Sequence, residues 1–110
     1  MDSKVVRYEQ MPTTDLGGGV TRKVLAWMPQ QMMVEVRFEQ GAMGAMHSHP
    51  HVQCTYVAEG VFDFTIEGEM HTVRAGDTIA FAPDAQHGCV CKQAGVLVDV
   101  FAPMREDFLS

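Results

Sequence analysis

Three histidines on alternate residues, with a glutamine two positions beyond the last, form the most chemically loaded stretch of the chain: His47-Ser48-His49-Pro50-His51-Val52-Gln53. In an extended strand successive side chains point to opposite faces, so His47, His49 and Gln53 share one face and can converge on a point. A further donor is His87, preceded by Pro83-Asp84-Ala85-Gln86 and followed by Gly88. Three imidazole nitrogens and a neutral amide oxygen suit one divalent transition metal ion: nickel, zinc, iron or manganese. A histidine-rich surface cluster is the competing explanation. His51 has the ligand parity too, but Pro50 can disturb the strand there, so a place at the rim is expected for it.

A second group lies near the C-terminus, in Val98-Asp99-Val100-Phe101-Ala102-Pro103-Met104-Arg105-Glu106-Asp107-Phe108. Asp99 has the parity of Leu97 and Phe101, and burying an unpaired carboxylate is costly. Either it faces a functional site, or it is a strand-end residue turned to solvent. Arg105 follows Pro103, which is expected to end the strand and let the chain turn over a pocket mouth. Cys89 and Cys91 have the parity of His87. A thiolate near the metal is conceivable, but small buried hydrophobes are the favoured reading. The nine methionines are read mainly as core filler, with Met32, Met33, Met43 and Met46 near enough to the histidines to line a pocket.

These groups need a rigid frame. Short β-type runs are broken by glycine, proline and acidic turn residues, which predicts an all-β sandwich or barrel. Strands are expected at Val20–Trp27, Met32–Glu39, Gln53–Ala58, Val61–Ile66, His71–Arg74, Thr78–Phe81, Gly88–Lys92 and Val96–Phe101. Glu59-Gly60 and Glu67-Gly68 are expected as hairpin turns, and Gly76-Asp77 as the turn into the strand before His87. Gly17-Gly18-Gly19 reads as a flexible joint after an N-terminal segment.

With 110 residues and 12.2 kDa, the chain suits one domain with one continuous core. A formal net charge of −6 offers no basic patch, so neither nucleic acid nor a membrane is an expected partner. The N-terminus has no apolar signal region, and no apolar run approaches ~18 residues. Three cysteines with no C-x-x-C pair fit a reducing compartment, so a cytoplasmic location is expected. Several strands are apolar on both faces, which predicts cover by a second copy in a homodimer. Cover by the chain's own N-terminal arm is the alternative.

The spacing G-x5-H-x-H-x3-Q-x6-G over Gly41–Gly60, with Gly76 and His87 further on, resembles the two cupin motifs. Gln53 stands where glutamate is usual, the second-motif proline falls one place late at Pro83, and Asp84 and Cys91 replace glycine and asparagine. The ending Asp99-x-Phe101-x-Pro103-x-Arg105-Glu106-Asp107-Phe108, with the His47–Gln53 string and the Pro83–Gly88 turn, resembles the KdgF family of pectin degradation proteins. In that family Gln53 is a match rather than a departure. The likeness spans most of residues 41–110.

This resemblance implies a single cupin jelly-roll β-barrel over residues 1–110. It would have an N-terminal arm over about 1–19, metal motifs at 41–60 and 76–91, and an active-site segment at 97–108. It implies metal ligation by His47, His49, Gln53 and His87, and active-site roles for Asp99, Phe101 and Arg105. The implied activity converts 4,5-unsaturated monouronates, released from pectin or alginate, to linear 5-keto-4-deoxyuronate. The substrate is then a small unsaturated uronate, with no redox change. A cupin-type dioxygenase or sugar isomerase is the alternative, and a non-catalytic sugar-binding module a further one.

Overall fold

The computed structural model describes residues 2–110. Eight strands follow one another: β1 Thr14–Gly17, β2 Val20–Met28, β3 Gln31–Phe38, β4 Met43–His47, β5 Val52–Ile66, β6 Glu69–Arg74, β7 Thr78–Phe81 and β8 His87–Ala102. The only helical pieces among the described residues are single 3₁₀ turns at Tyr8–Gln10 and Glu106–Phe108. No helix among them is long and apolar enough to cross a membrane.

All strand pairs are antiparallel, and the frame is the pairing of the two long strands β5 and β8. The first half of β5 and the second half of β8 continue into β7 on one side and into β3, β2 and β1 on the other. The other halves continue into β6 and β4. Each long strand therefore serves both sheets of a jelly roll, and the side chains between the sheets form the core. This is the all-β barrel the strand rhythm predicts.

The long strands correct two expectations. Glu59-Gly60 is not a hairpin turn, and Gly88–Lys92 and Val96–Phe101 are not separate strands. Instead, β5 and β8 bend together, with register shifts between Val57 and Phe62. Glycine is required at this crossing. A Cβ on Gly60 would lie 2.5 Å from the Gln93 carbonyl oxygen, and one on Gly95 would lie 2.3 Å from that of Glu59. A turn and a bulge both draw on glycine's freedom at positive φ, so the local sequence does not separate them.

Glu67 and Gly68 do make the expected two-residue hairpin, both at positive φ. Gly18 and Gly19 make another between β1 and β2 rather than a loose joint.

Inward and outward positions alternate strictly where β5 meets β8. Gln53, Thr55 and Val57 are buried, while Val52, Cys54 and Tyr56 are exposed. Cross-strand neighbours on the inner face are Gln53–Phe101, Thr55–Asp99 and Val57–Leu97. The main core gathers Phe38, Phe62, Phe64, Phe81 and Leu97, with Phe38 packed edge-on to Phe62 at 5.2 Å. Phe62 is fully buried; truncation to alanine costs ~3–5 kcal/mol in such a setting. A smaller cluster of Met32, Val34 and Phe101 lies beside it. Among the described residues Met32 is the one methionine in the buried core, whereas Met33, Met43, Met46 and Met70 are exposed, so core filler is not their role.

The N-terminal arm lies against β2 and β3. Tyr8 donates to Glu35 Oε1 at 2.7 Å, and Lys23 Nζ sits 3.6 Å from the Tyr8 ring centre. It leaves Cys54 and Tyr56 of β5 uncovered.

Candidate metal centre

His47, His49 and His87 come together at one end of the barrel, with one ring nitrogen of each within 4.8 Å of the others. The route differs from the single strand the parity suggests. His47 ends β4, the chain bends through residues 48–51, and Gln53 lies on β5. His87 opens β8 directly opposite His47. The bend is tied down by Asp84, whose N–H donates to the His49 carbonyl at 2.8 Å. Asp84 has φ 65°, the left-handed conformation for which glycine is usual at this motif position.

The protonation of the rings follows from their partners. His47 Nδ1 lies 2.7 Å from the Ala45 carbonyl oxygen, and His87 Nδ1 lies 2.9 Å from that of Ala85. A carbonyl only accepts, so each Nδ1 carries the hydrogen, and in the neutral ring each Nε2 presents a lone pair. Fixing a ring through its other nitrogen is how proteins orient metal-binding imidazoles. His87 Nε2 is buried with no hydrogen-bond partner, a state that disfavours folding unless something binds there.

His49 is more telling. Its Nδ1 faces the His51 carbonyl at 3.1 Å, and its Nε2 faces Gln53 Oε1 at 2.8 Å. Burial lowers the pKa of both His49 and His87 below the ordinary histidine value, so both rings are neutral at pH 7. A neutral His49 carries one hydrogen for two oxygens, leaving one contact acceptor against acceptor. A cation held jointly by His49 Nε2 and Gln53 Oε1 removes that conflict. The donor set fits a first-row divalent ion, which these residues would hold.

Behind Gln53 runs a hydrogen-bonded line that the sequence reading lacks. Gln53 Nε2 donates to Thr55 Oγ1 at 2.9 Å, and Thr55 Oγ1 donates to Asp99 Oδ1 at 2.6 Å. Thr55 is 1% exposed. Its position two residues after Gln53 on the inward parity was the available signal. Asp99 faces the interior rather than solvent, and burial raises its carboxyl pKa from 3.8 to about 6, against the lowering effect of the Thr55 hydrogen bond.

The cavity at this end has a volume of about 450 Å³, and its walls include His47, Gln53, His87, Asp99, Phe101 and Arg105. Phe101 is buried, 5.6 Å from the His49 ring and 5.7 Å from the Phe108 ring. β8 ends at Ala102, as the proline predicts, and Arg105 turns back over the cavity. The Arg105 guanidinium is 4.3 Å from the Phe108 ring centre and 5.1 Å from that of Phe101. Its Nε and Nη2 donate to the two Asp107 oxygens at 3.1 and 2.9 Å.

His51 contributes its carbonyl to His49, while its half-buried ring stands 6.5 Å from Phe101. Cys89 and Cys91 are buried in the core. Burial pushes the Cys89 thiol up to about 12 and raises Cys91 as well, so neither is a thiolate at neutral pH. Arg22 of β2 also lines the cavity. Its inward parity with Val20 and Val24 was visible in the sequence and went unread.

Comparison with known proteins agrees with this architecture. The family described as Cupin domain matches residues 34–101. The pectin degradation protein KdgF of Dickeya dadantii (strain 3937) is 42% identical over 103 residues, covering 92% of this chain and 94% of that protein. The solved structure of KdgF from Halomonas sp. has a TM-score of 0.92 at 31% identity, covering 97% of this chain and 99% of that one. An RmlC-like cupin from Shewanella frigidimarina NCIMB 400 has a TM-score of 0.92 at 38% identity, over 97% and 96% of the two chains. Oxalate decarboxylase from Bacillus subtilis, at 18% identity and a TM-score of 0.83, shares the fold alone. A jelly roll with three histidines converging at its mouth is the architecture of a small cupin. The chain belongs to the cupin family and, within it, to the KdgF family.

Proposed function

We propose that this chain is a metal-dependent enzyme of pectin degradation that opens 4,5-unsaturated monouronates, from pectin or alginate, to 5-keto-4-deoxyuronate. The observation that carries this reading is the meeting of His47, His87 and Gln53 with Asp99 and Arg105 around one cavity of about 450 Å³, with His49 in the same histidine cluster; that size suits a monosaccharide. The name of the D. dadantii relative supports the pectin context.

His47, His49, Gln53 and His87 would hold one divalent ion, which when bound supplies a Lewis acid beside the sugar's oxygens. The substrate is a cyclic enol ether with a hemiacetal. Ring opening breaks the bond between C1 and the ring oxygen, removes the C1 hydroxyl proton and returns a proton to C4, with no oxidant and no net change in atoms. A group that takes and gives one proton near neutral pH meets this need. Asp99, raised to about 6, is that group. Thr55 holds one carboxylate oxygen and leaves the other for substrate. Phe101 packs on the sugar face. Asp107 occupies one edge of the Arg105 guanidinium, which leaves its end-on edge for a substrate carboxylate.

The exposed outer residues Cys54 and Tyr56 of β5, which the N-terminal arm does not cover, favour a homodimer through that sheet. The reading of function is tested by incubating metal-loaded protein with freshly prepared unsaturated monouronate under anaerobic conditions. NMR should show the open-chain ketone. A requirement for oxygen would point to a dioxygenase instead.

A further inference from the structure

We propose that Arg22 selects for a carboxylate on the substrate, acting beside Arg105, with both guanidiniums lying against the Phe108 ring. This rests on the reading of the substrate as a sugar acid, and adds a specificity residue that the motif spacing does not contain.

The placement of Arg22 is unusual for an arginine. Alternation along β2 puts it on the inward face between Val20 and Val24. Val20 is in the main core, and Val24 packs on the second cluster. Its cross-strand neighbour is Val36 on β3, which in turn pairs with Leu97 on β8. Arg22 is half-buried among these apolar side chains and lines the cavity with His47, His87 and Asp99. Among the described residues it makes no side-chain hydrogen bond and no ion pair. A permanently charged guanidinium brought into an apolar wall, with the charge of Asp107 favouring it and that of Arg105 opposing it, carries a desolvation penalty that an entering anion offsets.

Both carboxylates near this end of the cavity already accept hydrogen bonds from other groups. Asp107 holds the Nε and Nη2 of Arg105, and Asp99 receives the Thr55 hydroxyl. Arg22 lies 3.9 Å from the centre of the Phe108 ring, and Arg105 lies 4.3 Å from the centre of the same ring. Contact with that aromatic holds both guanidiniums in place without using their N–H donors. Of the two arginines, Arg105 has one edge closed by Asp107 and Arg22 has every edge free. The fork most available to a carboxylate is therefore that of Arg22. A purely structural role, pinning the C-terminal segment through Phe108, predicts loss of stability without loss of discrimination between charged and neutral sugars.

The test compares D-galacturonate with D-galactose as probes, binding each to metal-loaded parent, Arg22→Met and Arg22→Lys by titration calorimetry. Melting temperature and metal content are read on the same samples. The parent should prefer the acid. Arg22→Met, which keeps bulk on Phe108 but loses charge and donors, should lose that preference by about ten- to a hundred-fold while retaining its metal. Arg22→Lys should recover only part of it, because the fork geometry is gone. With unsaturated monouronate, the loss should appear chiefly in KM.

A parent that binds acid and neutral sugar alike overturns the proposal, as does Arg22→Met with the parental preference. If Arg22→Met does not fold, Arg22→Lys decides, and parental preference in that variant overturns it. A parent that prefers galacturonate through Arg22 yet never opens the unsaturated sugar leaves this assignment standing and removes the proposed reaction.

Discussion

Thr55 Oγ1 donates to Asp99 Oδ1 at 2.6 Å while accepting from Gln53 Nε2 at 2.9 Å. One hydroxyl therefore fixes two things at once. It turns the Gln53 oxygen toward His49, and it restrains the rise of the Asp99 pKa. Threonine has a single hydrogen to give, so the direction of the whole line follows from Asp99 being ionised.

Thr55→Val keeps shape and removes the hydroxyl. Gln53 loses an acceptor and Asp99 loses a donor, both buried, which costs ~1–3 kcal/mol for each group left unmatched. Thermal melts should show a lower transition, metal titration should show weaker binding, and the lower limb of the pH–rate profile should move to higher pH. A variant indistinguishable from the parent in all three would remove the relay from the account.

Loss of a proposed ligand should act on the ion first. His87→Ala removes the buried, unpartnered Nε2 and should lower metal occupancy sharply, as read by elemental analysis. Chelation should lower the melting temperature of the parent, because a ligand bound only by the folded state stabilises by mass action. Unchanged occupancy in His87→Ala would break the four-ligand assignment.

Asp99 ties activity and stability to pH in a calculable direction. In the metal-free protein its carboxyl is raised from 3.8 to about 6, so the folded chain holds this proton more tightly than the unfolded one. Its contribution to stability is greatest below about pH 4 and is lost as pH rises to about 6. His49 and His87, with lowered pKa values, act the opposite way, so the parent's own curve mixes both effects. The difference in melting temperature between Asp99→Asn and parent isolates Asp99, and it should move in favour of Asp99→Asn across that window. With metal bound, Asp99→Asn should keep its ion and lose ~10²–10⁴-fold in kcat.

Arg105→Lys should forfeit the forked pair of hydrogen bonds to Asp107 and the guanidinium contact with Phe108, and should chiefly raise KM with metal content unchanged. Steady-state kinetics beside elemental analysis check this. A parental KM would leave substrate binding to other groups.

The outer face gives a separate prediction. Light scattering at micromolar concentration should report a dimer, and Tyr56→Glu should shift it toward monomer by burying a charge in the interface. A stable monomer of the parent would leave Tyr56 and Cys54 simply exposed.

Parity and spacing made much of this site legible. Alternation set Gln53 and Val57 on one face of β5 and Asp99 with Leu97 and Phe101 on one face of β8, as the structure has them. Glycine spacing brought His87 to the other histidines. What eluded the sequence was set by long-range pairing. Met43–His47 forms a strand because it adds to β8, and nothing in its composition says so. Glu59-Gly60 is a bend because Gly95 lies against it. Arg22 is a cavity residue through pairing with β3, although its parity alone was a legible clue.

The central claim is that ring opening by Asp99 needs one ion, which the three histidines and Gln53 would hold. Stripping the protein with chelator and adding metal back while following the enol absorbance of unsaturated monouronate tests it most directly. The account predicts no turnover in the stripped protein and recovery that saturates at one ion per chain in the parent but not in His87→Ala. Full turnover by stripped protein, or none after reloading, would contradict it.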